Sequence, residues 1–405
     1  MPLLPSSPIS LHPRRVALAI LLTALPACWG TATAAPYLPG TDAQVLARVP
    51  ARALDARARD LQALRAAWRA KPRDALLAVQ LARRYVDEAA AEGDPRYIGY
   101  AQAALAPWWD EAAPPVAVRV QRAVLLQYGH QFAEALADLD AAVLAEPDNA
   151  EAWSWLAAIH LVRADYAAAG RGCDGLAPLT TPLLAAACRA AVESLTGRAG
   201  SAAQVLTVAL KAAVDAGPDE RLWALTRLAE IEERRGDFAA AERAFREAIG
   251  LAVADVYLQA AYADFLLDRG RPGEVLTLLK DGVRADVLLL RLARAAKATN
   301  DPRAAGWSRD LAARFAAARA RGSSTHEKEE SRFFLELQGD AVRALALARS
   351  NYAVQREPAD ARVLLEAALA ARQPEAAAPV REWLAAHRVE SVALRSLAAR
   401  LEGAR

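Results

Sequence analysis

Two cysteines, Cys173 and Cys188, have fourteen residues between them, and a disulfide joining them is the first chemistry the chain offers. Such bonds persist in oxidising compartments. Closing a loop of that size stabilises a fold by about 3 kcal/mol in the chain-entropy model. The competing reading is two reduced cysteines packed as small apolar side chains. Other candidate motifs are weaker. His326-Glu327-Lys328-Glu329-Glu330 begins like a zinc-protease helix, but position 330 lacks the second histidine that would put two ligands on one helical face. A charged, solvated helix start accounts for it better. Gly170-Arg171-Gly172-Cys173-Asp174-Gly175 satisfies G-x-G-x-x-G by letter. A dinucleotide loop needs a strand before it and a helix after it; this run lies inside a predicted helix and reads as close packing beside Cys173. His130, His160 and His387 are scattered, and neither a nucleophile signature nor a phosphate loop is present. The chain is therefore expected not to be an enzyme and to need no cofactor or metal.

The elements that would position these residues repeat. From Leu222 to Leu289 two short amphipathic helices joined by a Gly-Asp-Phe turn return after 34 residues: Leu228 and Ala229 recur as Tyr262 and Ala263, and Gly236 as Gly270. Ala241, Phe245 and Ala248 recur as Val275, Leu279 and Gly282. A fixed period of this length is the mark of a helical repeat array. The same punctuation appears at Lys71-Pro72-Arg73-Asp74, Glu146-Pro147-Asp148-Asn149 and Glu357-Pro358-Ala359-Asp360. There proline ends one helix and Asp or Asn is expected to cap the next. Units begin near Ala75, Val116, Ala150, Leu183, Leu222 and Val256, and a seventh turns at Asn300-Asp301-Pro302. The first is too long, and its excess is expected in a lengthened loop over 89–96. Trp108 and Trp109 are expected to fill the gap between units rather than meet a partner. Arg321–Thr325 reads as a linker, with Ser324 and Glu327 forming a capping box. Two degenerate units and a closing helix over 391–401 complete eight or nine units. Cys173 then falls on the second helix of one unit and Cys188 on the first of the next, close enough to bond.

Trp153-Leu156-Ala157, Phe238-Ala241-Phe245-Ala248, Gly236 at the turn and Pro147 at a unit's end resemble the tetratricopeptide repeat family. The likeness runs from about Leu54 to Arg388 and weakens after Ala320. It implies an all-α solenoid whose stacked hairpins form a right-handed superhelix with the first helices lining a concave groove. It further implies a protein or peptide partner. The groove positions are then Arg227, Glu230, Glu233, Arg234, Tyr257, Asp264, Asp268, Arg291 and Arg294, with Tyr128 and Leu161 in a more apolar stretch before them. An extended polypeptide would lie along this groove, its polar ends held at Asp264, Asp268, Arg291 and Arg294; simple solvation of a charged helix face is the alternative.

The N-terminus reads as an export signal. Arg14-Arg15 precedes an apolar run over 16–25 that is too short to span a bilayer. Ala32-Thr33-Ala34 fits cleavage before Ala35, whereas Leu25-Pro26-Ala27-Cys28 resembles a lipobox in which Cys28 would be lipidated. The organisation expected is a signal at 1–34 (or to 27 for a lipoprotein), an extended lead-in at 35–53, a solenoid at 54–320, and degenerate repeats with a capping helix at 321–405. The formal charge is +2, and loss of Arg14 and Arg15 leaves the chain neutral. Neutrality argues against nucleic acid and against an anionic membrane surface, leaving membrane attachment to a lipid on Cys28. The function expected is a non-catalytic, periplasmic or outer-membrane-anchored interaction scaffold. An accessory subunit of an envelope export system, such as polysaccharide secretion, is the alternative. A metal-dependent hydrolase is a third class, which would require bound metal.

Overall fold

The computed structural model describes residues 41, 44, 56–320 and 327–403. The signal segment, Cys28, nearly all of the lead-in, the linker at 321–325 and Ser324 of the expected capping box lie outside them. The described chain is all-helical. After α1 (Ala56–Ala70) come the hairpins α2/α3 (Ala75–Glu92, Arg96–Leu105), α4/α5 (Val116–Tyr128, Phe132–Ala145) and α6/α7 (Ala150–Val162, Tyr166–Leu176). Next are α8/α9 (Pro182–Glu193, Ala199–Ala212), α10/α11 (Pro218–Arg235, Phe238–Gly250), α12/α13 (Val256–Asp268, Pro272–Leu278) and α14/α15 (Asp286–Ala298, Ala304–Ala320). The C-terminal part comprises α16 (Glu327–Arg332), a π-helical turn (Phe333–Gln338), α17 (Ala341–Val354), α18 (Pro358–Ala370), α19 (Ala378–His387) and α20 (Val392–Glu402). This is an α-solenoid of stacked hairpins.

Turn chemistry sets the hairpins. Gly236 and Gly270 end α10 and α12 with φ of +90° and +69°, the left-handed conformation in which a Cβ is penalised. His130, Ala164 and Asn300 accept that penalty at the corresponding turns. Across each turn a short acceptor starts the next helix: Asp165, Asp237 and Asp255 take the backbone N–H three residues on, at 3.1, 3.0 and 2.6 Å. Asp74 and Asn149 cap α2 and α6 as expected. The third junction differs. Helix α18 begins at Pro358, and Glu357 is its cap, while Asp360 reaches back to the Glu357 N–H at 3.0 Å. The excess of the first unit also differs from expectation. It extends α2 to Glu92 instead of lengthening the loop, since the run Glu88–Glu92 holds three alanines and no breaker before Gly93.

Alanines at the crossings bring helices together and aromatics fill the spaces between units. Ala229, Ala241 and Ala248 are fully buried where α10 meets α11. Phe245 stacks on Tyr262 and meets Phe265 at a tilt, with ring centroids 5.3 and 5.6 Å away. Trp108 is buried in a short 3-10 turn and packs with Leu105 and Val118, as expected of a gap-filler.

Curvature and the C-terminal segment shape the concave side. The array coils until Gly93, after α2, lies against Ala285, where a Cβ on Gly93 would come within 2.5 Å of the alanine's own. The C-terminal helices then fold back into the concavity. Residues of α17–α20 share one core with Tyr166, Cys173, Cys188 and Val192 of α7 and α8. Trp383 Nε1 donates to Tyr166 Oη at 2.9 Å, Arg356 N to Val162 O at 2.8 Å, and Ala199 N to Glu390 at 2.6 Å. The degenerate units therefore form an inner layer as well as a stack.

Candidate functional site

The inner layer leaves a chamber of about 500 Å³ between the concave face and the C-terminal helices. Helix α10 supplies one wall. Arg227, Glu230, Ile231 and Arg234 recur at helical spacing on its inward face. Tyr257, Ala261 and Asp264 of α12 and Arg291 of α14 continue that wall. Lys328 and Arg332 of α16, Glu357 and Arg362 at α18, and Leu394 of α20 close the opposite side. Tyr128, Leu161 and Leu195 make one end apolar.

Charge is concentrated here, and most of it is paired. Asp264 accepts from Arg291 at 2.6 Å, Arg294 at 2.6 Å and Arg332 at 3.0 Å. Burial pushes its carboxyl up, but the three guanidiniums outweigh burial and hold it well below the usual carboxylate range. Arg294 also meets Glu336. Arg362 grips Asp268 through both nitrogens, one at 2.8 Å, and Glu366 at 2.7 Å. Lys328 stands 3.6 Å from Asp360. Arg227 is 3.1 Å from Glu230 and 5.1 Å from the centre of the Tyr257 ring, whose hydroxyl donates to Glu230 at 2.5 Å. Tyr257 keeps 50% of its surface accessible, yet burial drives its hydroxyl above the ordinary tyrosine value. Both are true because the accessible surface opens onto the chamber, where low-dielectric walls replace bulk water.

Glu233 and Arg234 stand apart. Arg234 has one polar partner, the Ser194 hydroxyl at 2.7 Å, and its Nε has none. Burial lowers its pKa. Glu233 has no ion pair among the described residues. Burial first, then Asp268, raise its carboxyl to about 7, against the opposing pull of Arg362.

Seven of the nine expected groove residues line this one chamber: Arg227, Glu230, Glu233, Arg234, Tyr257, Asp264 and Arg291. Asp268 and Arg294 stand behind its wall, tied to Arg362 and to Asp264 and Glu336. The four residues expected to hold a partner's polar ends are thus engaged in internal pairs. Acidic and basic groups interleave across the chamber. Lys328, Arg332, Glu357 and Arg362 were not anticipated. The available signal was Arg362 itself, set beside the apolar residues Ala361, Val363, Leu364 and Leu365.

Cys173 and Cys188 are joined by a disulfide with Cα atoms 5.7 Å apart, linking α7 to α8. The G-x-G-x-x-G run is inside α7. A Cβ on Gly172 would meet the Ala157 backbone at 2.7 Å, and one on Gly175 the Trp153 ring at 2.4 Å, so both glycines serve close helix packing. His160 lies 3.6 Å from Asp165, and His387 packs edge-on against Tyr166. Among the described residues no cluster of three metal-ligating side chains is assembled, and no helix is long and apolar enough to cross a membrane.

No protein-family model matches the sequence, and no curated protein matches it. Among solved structures, the chain is similar to a tetratricopeptide repeat protein from Parabacteroides merdae ATCC 43184, with 14% identity over 71% of this chain and 99% of that one, at a TM-score of 0.37. It is also similar to the TPR domain of P58(IPK), with 16% identity over 86% of this chain and 93% of that one, at a TM-score of 0.23. The repeat architecture rests on the chain's own hairpins, their 34-residue period and their left-handed turns.

Proposed function

We propose that this array of tetratricopeptide-type hairpins is a non-catalytic binding scaffold of the cell envelope that takes a polypeptide partner on its concave side. One observation carries the reading. Trp223 and Tyr257 remain 36% and 50% accessible, although most large apolar side chains of the array are buried. Trp223 lies one turn before Arg227 on the same face of α10, and Arg227 stacks on Tyr257, so an aromatic–arginine strip runs from the chamber wall toward solvent. Aromatic and arginine side chains in such strips are the residues that anchor protein interfaces. The partner would rest on this strip and need not displace the C-terminal helices. Export rests on the Arg14-Arg15 signal alone, and lipidation on Cys28.

The test is a photo-crosslinking residue at Trp223, compared with one at Leu144, which is 84% exposed on α5. A polypeptide adduct formed from the cell envelope at position 223 and absent at 144 supports the reading. Equal adducts at both, or none, overturn it. An accessory role in an envelope export system is the second form of the same reading, distinguished by whether the crosslinked polypeptide is part of a transport assembly.

A further inference from the structure

The charged residues of the chamber wall are matched with two exceptions. Arg227 pairs with Glu230, Asp264 with its three arginines, Arg362 with Asp268, and Lys328 with Asp360, while Glu357 caps α18. Glu233 and Arg234, consecutive on α10, are left without ion pairs, and both line the chamber. They do not satisfy each other, because neighbouring side chains on a helix diverge by about 100°. A desolvated charge without a partner is costly. Retaining one of each sign, side by side, calls for a molecule that brings both complements.

The rest of the chamber narrows the class. Leu195, Ile231 and Leu394 line it with these two groups, and Leu161 and Tyr128 lie beyond. A volume of about 500 Å³ lies within the range of small-molecule sites and is far too small for a folded partner or a long peptide. A plain anion would meet the Glu233 carboxylate, and a plain cation would meet Arg234. We propose that the chamber binds a small zwitterion with an apolar body, of the size of a free amino acid or a dipeptide, its anionic group on Arg234 and its ammonium on Glu233.

Binding needs Glu233 ionised. Asp268 and Asp264 from α12 and Glu230 from its own helix oppose ionisation, and Arg362 from α18 favours it. Affinity should therefore rise with pH across neutrality. Trp223 is not among the residues that line the chamber, although Arg227 and Tyr257 of its strip are, so crosslinking at 223 and ligand binding at Glu233 and Arg234 are read at different residues.

Calorimetry on the whole mature chain with L-leucine and leucyl-leucine at pH 8 tests this. The expected result is saturable binding of one or both, weakened more than tenfold by N-acetylation or by methyl esterification of the probe. Glu233→Gln should abolish discrimination against the N-acetylated probe, and Arg234→Met discrimination against the ester. Glu233→Gln is isosteric and removes an unpaired charge, so the folded variant is available for the comparison. Absence of binding by the parent chain at millimolar probe, or equal affinity for free and blocked forms, overturns the proposal.

Discussion

Asp268 near the end of α12 and Arg362 on α18 are 94 residues apart in sequence and form a two-pronged ion pair across the concave side. Neither belongs to the other's unit or to an adjacent one. The pair shows what the local stacking rule of a solenoid does not supply: a contact that fixes the inner layer against the outer one. Side-chain exposures of 24% and 19% place it between a surface bridge and a buried one. Removing one partner leaves the other charge partly desolvated, so Arg362→Ala should cost about 2 kcal/mol, toward the lower side of the range for broken buried pairs. In a double-mutant cycle by urea unfolding, Asp268→Asn combined with Arg362→Ala should cost clearly less than the two single costs added. Simple additivity would show that the pair contributes nothing to closure.

Glu233 makes stability depend on pH. Its folded pKa, about 7, exceeds the ordinary value of 4.5. The folded state thus holds the proton more tightly than the unfolded chain. The sign follows from linkage: the protonated form's advantage is complete below 4.5 and is lost as pH rises through about 7. Between pH 5 and pH 8 this residue should remove up to about 3 kcal/mol. Glu233→Gln should flatten that part of the profile and make the protein more stable than the parent at pH 8. Denaturant midpoints at the two pH values measure it, and parallel profiles for parent and variant would exclude Glu233 as the source.

Most of the fold was legible because a repeat array is locally determined. Period, turn glycines and short polar caps each report on residues within one unit, and they placed the hairpins and the Cys173–Cys188 neighbourhood correctly. The inward face of α10 was legible for the same reason, since Arg227, Glu230 and Arg234 follow helical spacing. What faces them was not. Arg332 reaches Asp264 over 68 residues, and Arg362 reaches Asp268 over 94, from units whose consensus has decayed. Periodicity gives the orientation of a side chain on its helix but not how far a superhelix coils before its own end returns. The Glu357 cap was missed because glutamate is a poor cap in general, and here the reciprocal Asp360 bond makes it effective.

The disulfide should matter beyond its loop. Cys173 and Cys188 belong to the core that α7 and α8 share with α17–α20, so the bond holds the outer surface on which the inner layer rests. Closing a loop of this length contributes about 3 kcal/mol in the chain-entropy model. Reduction, or Cys173→Ala with Cys188→Ala, should lower stability by that order. It should also raise amide exchange in α18 and α20 more than in α4 and α5. Uniform exchange changes along the array would refute the link between bond and inner layer, and free thiols at 173 and 188 in the oxidised protein would remove the bond itself.

Two glycines in helices should respond oppositely to the same added methyl group. At Gly172 in α7 a Cβ would stand 2.7 Å from the Ala157 backbone nitrogen and 2.9 Å from its Cα. Those are backbone atoms of a packed helix and cannot swing aside as a side chain can. Gly172→Ala must push α6 and α7 apart, which should cost about 1–3 kcal/mol, the usual range for overpacking a core. At Gly273, in the first turn of α13, nothing lies within 4 Å of the added atom. There alanine only reduces the freedom of the unfolded chain, so Gly273→Ala should stabilise by about 0.5 kcal/mol. Thermal unfolding of the two variants beside the parent measures both. A neutral Gly172→Ala would mean that α6 and α7 separate more easily than their contact at Ala157 implies, and the close-packing account of the G-x-G-x-x-G run would then fail.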